Sequence, residues 1–242
     1  MKLVQSIQIF GDSVMKGVQL DAAKGRYYTP KVTGVELFAE EFPFSIRNNA
    51  KFGCTIDKGY RQLEKSLERG LGCDTVLLEY GGNDCDYDWQ EVAADPKKEH
   101  LPHTPLKLFE ETYRKMLHLL REHKVLPVIM NLPPIDAEKY LTWICRDGLN
   151  RENILAWLGD VQMIYRFQEL YSQTAEKLAR DTGTLLVDVR SAFLDKHNFK
   201  ELICEDGIHP SEDGHRLIRD TFRAFAEQYF SGEMPMLLSL QN

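Results

Sequence analysis

Long apolar runs are missing from this chain. The longest, Val125–Met130, contains Pro127 and falls far short of the ~18 residues that a membrane-spanning helix needs. The opening residues hold Lys2 but no clean apolar block, because Gln5, Ser6 and Gln8 interrupt it. They read as a strand rather than a signal peptide. Cysteine is sparse: Cys54, Cys73, Cys85, Cys145 and Cys204 make five, no two closer than twelve residues, and Cys-x-x-Cys does not occur. That weighs against a zinc knuckle or a disulfide framework, and a reducing cytoplasm is the expected setting. Positive charge is also in deficit, with 30 basic against 37 acidic residues and a net charge of −7. Nucleic acid and anionic membrane are therefore poor main partners. No linker, internal repeat or low-complexity tract breaks the 242 residues. One domain, 1–242, is expected, of a length at which roughly 70–75% of the unfolded surface is buried without help from metal or disulfide.

Short apolar runs alternate with longer amphipathic ones. Strands are expected over Leu3–Phe10, Phe44–Asn48, Thr75–Tyr80, Val125–Asn131 and Thr184–Val189, each followed by Gly, Asn, Asp or Pro. Helices are expected over Ile56–Leu71, Thr104–His123 (with a Thr cap and Pro105 at the first helical position), Asp160–Asp181 and Ser211–Phe230. This alternation implies an α/β fold, a parallel sheet covered by helices on both faces. Two insertions, 85–103 and 133–159, follow strand ends, where open α/β folds place their sites. They hold all three tryptophans, Trp89, Trp143 and Trp157, with Tyr87 and Tyr140. Either the insertions need a small core of their own, or they roof a pocket whose walls include Trp89 and at least one of Trp143 and Trp157.

The first strand runs into Gly11-Asp12-Ser13, which puts a hydroxyl at the carboxyl edge of the sheet. Near the other end stands Asp206-Gly207-Ile208-His209-Pro210. A carboxylate three residues before a histidine can curl back to Nδ1–H, fix the tautomer and leave Nε2 to take a proton from a hydroxyl. Asp188, at the end of the last strand, is the rival acid; local geometry favours Asp206. Gly53 and Gly81-Gly82-Asn83-Asp84 follow the second and third strands and bring backbone N–H groups and an amide to the same edge. Acyl transfer needs such donors, because negative charge develops on the carbonyl oxygen.

These four blocks, in this order and at strand ends or in the last loop, resemble the SGNH (GDSL-type) hydrolase family; Val14 departs slightly from the Leu or Ile usual after the Ser. The resemblance implies a flavodoxin-like three-layer α/β/α sandwich and serine esterase chemistry on a small-molecule ester. It makes Ser13 the nucleophile, His209 the base and Asp206 the acid. The N–H groups of Ser13 and Gly53 and the amide of Asn83 become the oxyanion hole. No cofactor or metal is expected: Asp84-Cys85-Asp86-Tyr87-Asp88 imitates a calcium loop, but Trp89 stands where Gly is needed and Asp95 where Glu is. His100 and His103 read as exposed loop, His215 as a surface or helix-packing residue, and Cys54, Cys85 and Cys204 as packing. The alternative is a flavodoxin-like nucleotide- or flavin-binding module with Gly11–Ser13 cradling phosphate, against which the lack of Gly-x-Gly-x-x-Gly and Walker patterns weighs. Substrates suited to an aromatic roof are short acyl esters, thioesters and acetylated carbohydrates. The apolar tail Met234–Leu238 leaves open docking on the body or on a second subunit of a homo-oligomer.

Overall fold

The computed structural model describes residues 6–31, 33–42 and 44–230. The strands are β1 (Ser6–Gly11), β2 (Gln19–Asp21), β3 (Arg26–Tyr28), β4 (Ser45–Asn48), β5 (Thr75–Glu79), β6 (Leu126–Met130) and β7 (Leu185–Val187). The helices are α1 (Gly34–Glu41), α2 (Ile56–Glu68), α3 (Trp89–Ala94), α4 (Leu106–Glu122), α5 (Ala137–Cys145), α6 (Arg151–Leu158), α7 (Gln162–Thr182), α8 (Val189–Leu194) and α9 (Glu212–Tyr229).

Five strands form one sheet in the order β4-β1-β5-β6-β7, every pairing parallel. This is the doubly wound order in which β1 sits between strands wound in opposite directions, so a crevice opens at its carboxyl end. β5 is buried at every position, as a parallel strand covered on both faces must be. One apolar core, including Leu63, Leu78, Phe109 and Leu178, lies under α2, α4 and α7. The other, including Ile9, Leu77, Phe193 and Phe222, lies under α1, α8 and α9. Fully burying each such side chain contributes on the order of 1.5–3 kcal/mol.

Residues 1–5, which include the first three of the expected strand Leu3–Phe10, and the tail Met234–Leu238 lie outside the described residues, within which β1 covers Ser6–Gly11. Other expectations need correcting. Thr104 does not cap α4; Pro105 occupies that position without a side-chain bond. Thr104 is instead buried, its N–H donating to the Asp84 carbonyl (3.0 Å) and its carbonyl accepting from the Tyr171 hydroxyl (2.5 Å). The insertions carry three short helices. Asp88, Asp136 and Asn150 cap α3, α5 and α6, and these helices pack around Trp89, Tyr140, Leu141 and Ile154 as a third core. A hairpin, β2–β3, fills the segment after Ser13.

His215 is buried in α9 against the first loop, its Nε2 facing the Val18 carbonyl at 3.4 Å. Burial, opposed by that carbonyl and aided by His209, holds it down at about 4. The unfolded chain therefore binds a proton that the folded one refuses between pH ~6.5 and about 4. Stability from this group is complete above pH ~6.5 and falls as pH drops through that window, by about 3 kcal/mol at full expression. In urea melts from pH 7 to 4, the wild type should lose stability relative to His215→Gln, whose amide can still donate to Val18. Parallel pH curves for the two proteins would refute this.

Candidate active site

Ser13 sits two residues beyond β1, in a turn closed by Lys16 N–H to the Asp12 carbonyl (3.0 Å) and Val18 N–H to the Ser13 carbonyl (3.0 Å). Its partner comes from the loop before α9. There the Asp206 Oδ1 accepts the N–H groups of Ile208 and His209, both at 3.1 Å, and an Ile203–Pro210 bridge pins the loop's base. Gly207 (φ +80°) lets this loop dock on α5: a Cβ there would lie 2.4 Å from the Tyr140 nitrogen and 2.5 Å from the Asp136 oxygen.

The outcome is a hydrogen-bonded line. His209 Nδ1 meets Asp206 Oδ2 at 2.6 Å, and His209 Nε2 meets Ser13 Oγ at 2.9 Å. Burial pushes the Asp206 carboxyl up, but the His209 ring and the two backbone N–H groups outweigh it, so Asp206 is held below its ordinary range. An ionised Asp206 places the proton on Nδ1 and leaves Nε2 to accept from the serine hydroxyl. Asp188 is engaged elsewhere, capping α8 through the Ser191 N–H (3.0 Å) and accepting from Asn131 (2.6 Å).

Asn83 lines the same cavity as Ser13 and His209. Its backbone carbonyl meets His103 Nδ1 (3.0 Å), and its Nδ2 donates to Asp12 Oδ2 (2.9 Å). The backbone N–H groups of Ser13 and Gly53 have no hydrogen-bond partner among the described residues. Gly53 takes φ +66°, which favours glycine. Asp84 ties the two loops together by accepting the Ile56 N–H at 2.9 Å; burial pushes its carboxyl up to about 6. Asp86 accepts from Trp89 Nε1 (2.8 Å) and the Tyr140 hydroxyl (2.7 Å), and Asp88 caps α3, so the acidic run serves local structure.

The cavity leaves ≈ 80 Å³ of free space beside Ser13, walled by Leu132, Ile135, Ile164, Phe167 and Trp89. Trp89 is also part of the insertion core. Trp157 does not reach the cavity and packs on Tyr87, Trp89 and Phe167 instead. Trp143 lies outside the cavity wall, 5.8 Å from the Tyr27 ring.

Sequence reasoning missed three groups here. Tyr27, on the hairpin, lies 4.9 Å from the His209 ring, and Phe52 stacks on the same ring at 6.0 Å and 16°. Burial, and then the charge of Asp206, push the Tyr27 hydroxyl up. The hairpin's signal was Gly25 between the short runs Gln19–Asp21 and Arg26–Tyr28; Phe52 was flagged by nothing but its place beside Gly53. The third group, the Asp12–Glu79 pair, needed the strand register.

A five-stranded doubly wound sheet with a Ser-His-Asp line at the carboxyl end of β1 defines an SGNH-type hydrolase fold. Residues 9–217 match the GDSL-like lipase/acylhydrolase family, and the chain belongs to it; this is a family of carboxylic ester hydrolases. Among curated proteins, a GDSL esterase/lipase from Arabidopsis thaliana is 27% identical over 146 residues, covering 59% of this chain; the chain spans about half of that relative's length, 50%. Among solved structures, a lipase/acylhydrolase from Enterococcus faecalis superposes with a TM-score of 0.63 at 19% identity, over 92% of this chain and 95% of that one. An acetylxylan esterase from Geobacillus stearothermophilus gives 0.62 at 19%, over 93% and 95%. The esterase EstA from Pseudoalteromonas gives 0.58 at 18%, over 92% and 97%. None of the described helices is long and apolar enough to cross a membrane.

Proposed function

We propose that this chain, acting as one catalytic unit, is a serine esterase that hydrolyses short acyl esters of hydroxylated, sugar-like alcohols through an acyl-Ser13 intermediate. The observation that carries the reading is the buried line Ser13–His209–Asp206 opening on a cavity with an apolar wall. Ser13 attacks the carbonyl carbon while its proton passes to His209 Nε2. The oxyanion takes hydrogen bonds from the N–H groups of Ser13 and Gly53 and from the Asn83 amide. His209 then protonates the leaving alcohol, and water repeats the sequence to release the acid. A phosphate-cradling role for the Gly11–Ser13 turn is disfavoured, because the turn's own acid, Asp12, lines the same cavity.

The alcohol receives its proton at His209, so it lies beside the rings that cover His209, Tyr27 and Phe52 with Trp143 behind. Aromatic faces suit the C–H faces of sugars. The acyl group is left the cavity, which at ~10–15 Å³ per water-sized group holds about half a dozen such groups, a short acyl chain rather than a lipid tail. A panel of p-nitrophenyl esters from acetate to dodecanoate, run beside acetylated sugars, tests both halves. Activity should fall beyond the shortest chains; a preference for dodecanoate would refute the acyl assignment.

Phe52 is 51% exposed, so its removal should leave the fold alone. Phe52→Ala should lower kcat/KM on an acetylated sugar by ~5- to 150-fold relative to methyl acetate, equivalent to ~1–3 kcal/mol of lost contact. An unchanged ratio would move the alcohol away from this rim.

A further inference from the structure

Glu79 ends β5 opposite Gly11 in the β1–β5 register, at the floor of the Ser13 cavity, and the mechanism above does not use it. It is fully buried. Its Oε2 accepts the Asp12 N–H at 3.2 Å, while its Oε1 has no hydrogen-bond donor among the described residues. Beside it lies the Asp12 carboxyl, 1% exposed and already served twice: Oδ1 accepts the Val14 N–H (2.8 Å) and Oδ2 the Asn83 amide (2.9 Å). Two carboxyls buried together cannot both ionise, so the pair keeps one proton. Asp12, with two donors aimed at it and His209 nearby, is the better home for the charge. A proton on Glu79 also lets the two neighbouring carboxyls share a hydrogen bond, Glu79 donating to Asp12.

We propose that Glu79 keeps a proton at neutral pH and acts as a positioning residue, bracing the Asp12 carboxylate that orients the Asn83 amide. One Nδ2 hydrogen of Asn83 is spent on Asp12, which leaves the other directed away from it for the oxyanion. The surroundings agree. Burial, then the charges of Asp12 and Asp84, push Glu79 well above the ordinary carboxylate range, and the other groups facing it, Tyr80 and Tyr113, are neutral phenols. Burial also pushes Asp12 up, but the Val14 N–H, His209 and Asn83 act against it.

This inference rests on Asn83 being an oxyanion donor, so its test keeps the two claims apart. The variants are Glu79→Gln, Glu79→Leu, Asn83→Ala and Glu79→Leu/Asn83→Ala, assayed on p-nitrophenyl acetate. The Gln amide reproduces both bonds, accepting from the Asp12 N–H and donating to its carboxylate, so Glu79→Gln should stay close to wild type. Glu79→Leu should lower kcat by about tenfold or more, up to the ~10²–10³ of complete donor loss, with KM little changed. In the Asn83→Ala background the Leu substitution should cost nothing further, because its route to the substrate is gone. Independently of activity, the infrared difference between wild type and Glu79→Gln at pH 7 should contain a protonated-carboxyl C=O band. Absence of that band, equal damage from Gln and Leu, or additive losses in the double variant would each overturn the proposal. A normal kcat in Asn83→Ala would instead refute the oxyanion assignment and take the positioning role with it, leaving the band to report the proton alone.

Discussion

Ser13→Ala should lower kcat by roughly 10⁴–10⁶, the range observed when the nucleophile of such a triad is lost. The loss is that large because nothing nearby can replace the hydroxyl. His209 Nε2 has the Ser13 Oγ as its acceptor-side partner, and Asp206 is occupied on both oxygens by His209 and the backbone. Water can take the vacated place but lacks the orientation that converts attack into an intramolecular step. The substitution removes one oxygen, and the Ser13 backbone bonds do not depend on it. Melting temperature should therefore change little. Comparison of kcat with thermal unfolding checks both statements, and more than a tenth of the activity surviving in a folded variant would rule Ser13 out.

The second large effect is expected at Asn83. Loss of one preorganised oxyanion donor costs ~10²–10³ in kcat, or about 2.7–4 kcal/mol of transition-state stabilisation. Asn83 has the credentials of such a donor: its amide is held by Asp12, its carbonyl by His103, and it shares the cavity with Ser13. The charge it meets exists only after attack, so Asn83→Ala should depress kcat while KM stays within a few-fold. A variant that chiefly raises KM would make Asn83 a ground-state binding residue. Steady-state kinetics on a single soluble ester separates the two.

How far these residues could be read in advance depended on whether the governing interaction was local. Most of the sheet strands are short, mainly apolar runs that end in turn residues, although β4 (Ser45–Asn48) is largely polar, and four of the helices carry a 3–4 residue apolar period; both signals lie within one segment. Asp206 and His209 are three residues apart, so their pairing was visible before any fold was. The α1 helix also announced itself, through the Thr33 and Glu36 capping box, and was overlooked because the run behind it is short. Thr104 misled for the opposite reason. It has the form of a helix cap, but the tertiary partners Asp84 and Tyr171 claim its backbone and it is buried away from that role. The aromatic cover of His209 comes from the hairpin and from the loop before α2, far apart in sequence, and no local pattern links them. Glu79 lies inside the expected strand Thr75–Tyr80, where nothing local singles it out. Its meaning depends on the register that sets it against Gly11, a property of two strands rather than of either one.

The central claim is a covalent acyl group on Ser13, and rapid-quench mass spectrometry during turnover of p-nitrophenyl acetate tests it most directly. A burst of p-nitrophenol should accompany one added acetyl group per chain. Proteolysis should map that group to the peptide containing Ser13, and it should vanish in Ser13→Ala. Acetylation of a different residue, or full turnover by Ser13→Ala with no acyl-enzyme on that peptide, would contradict the account.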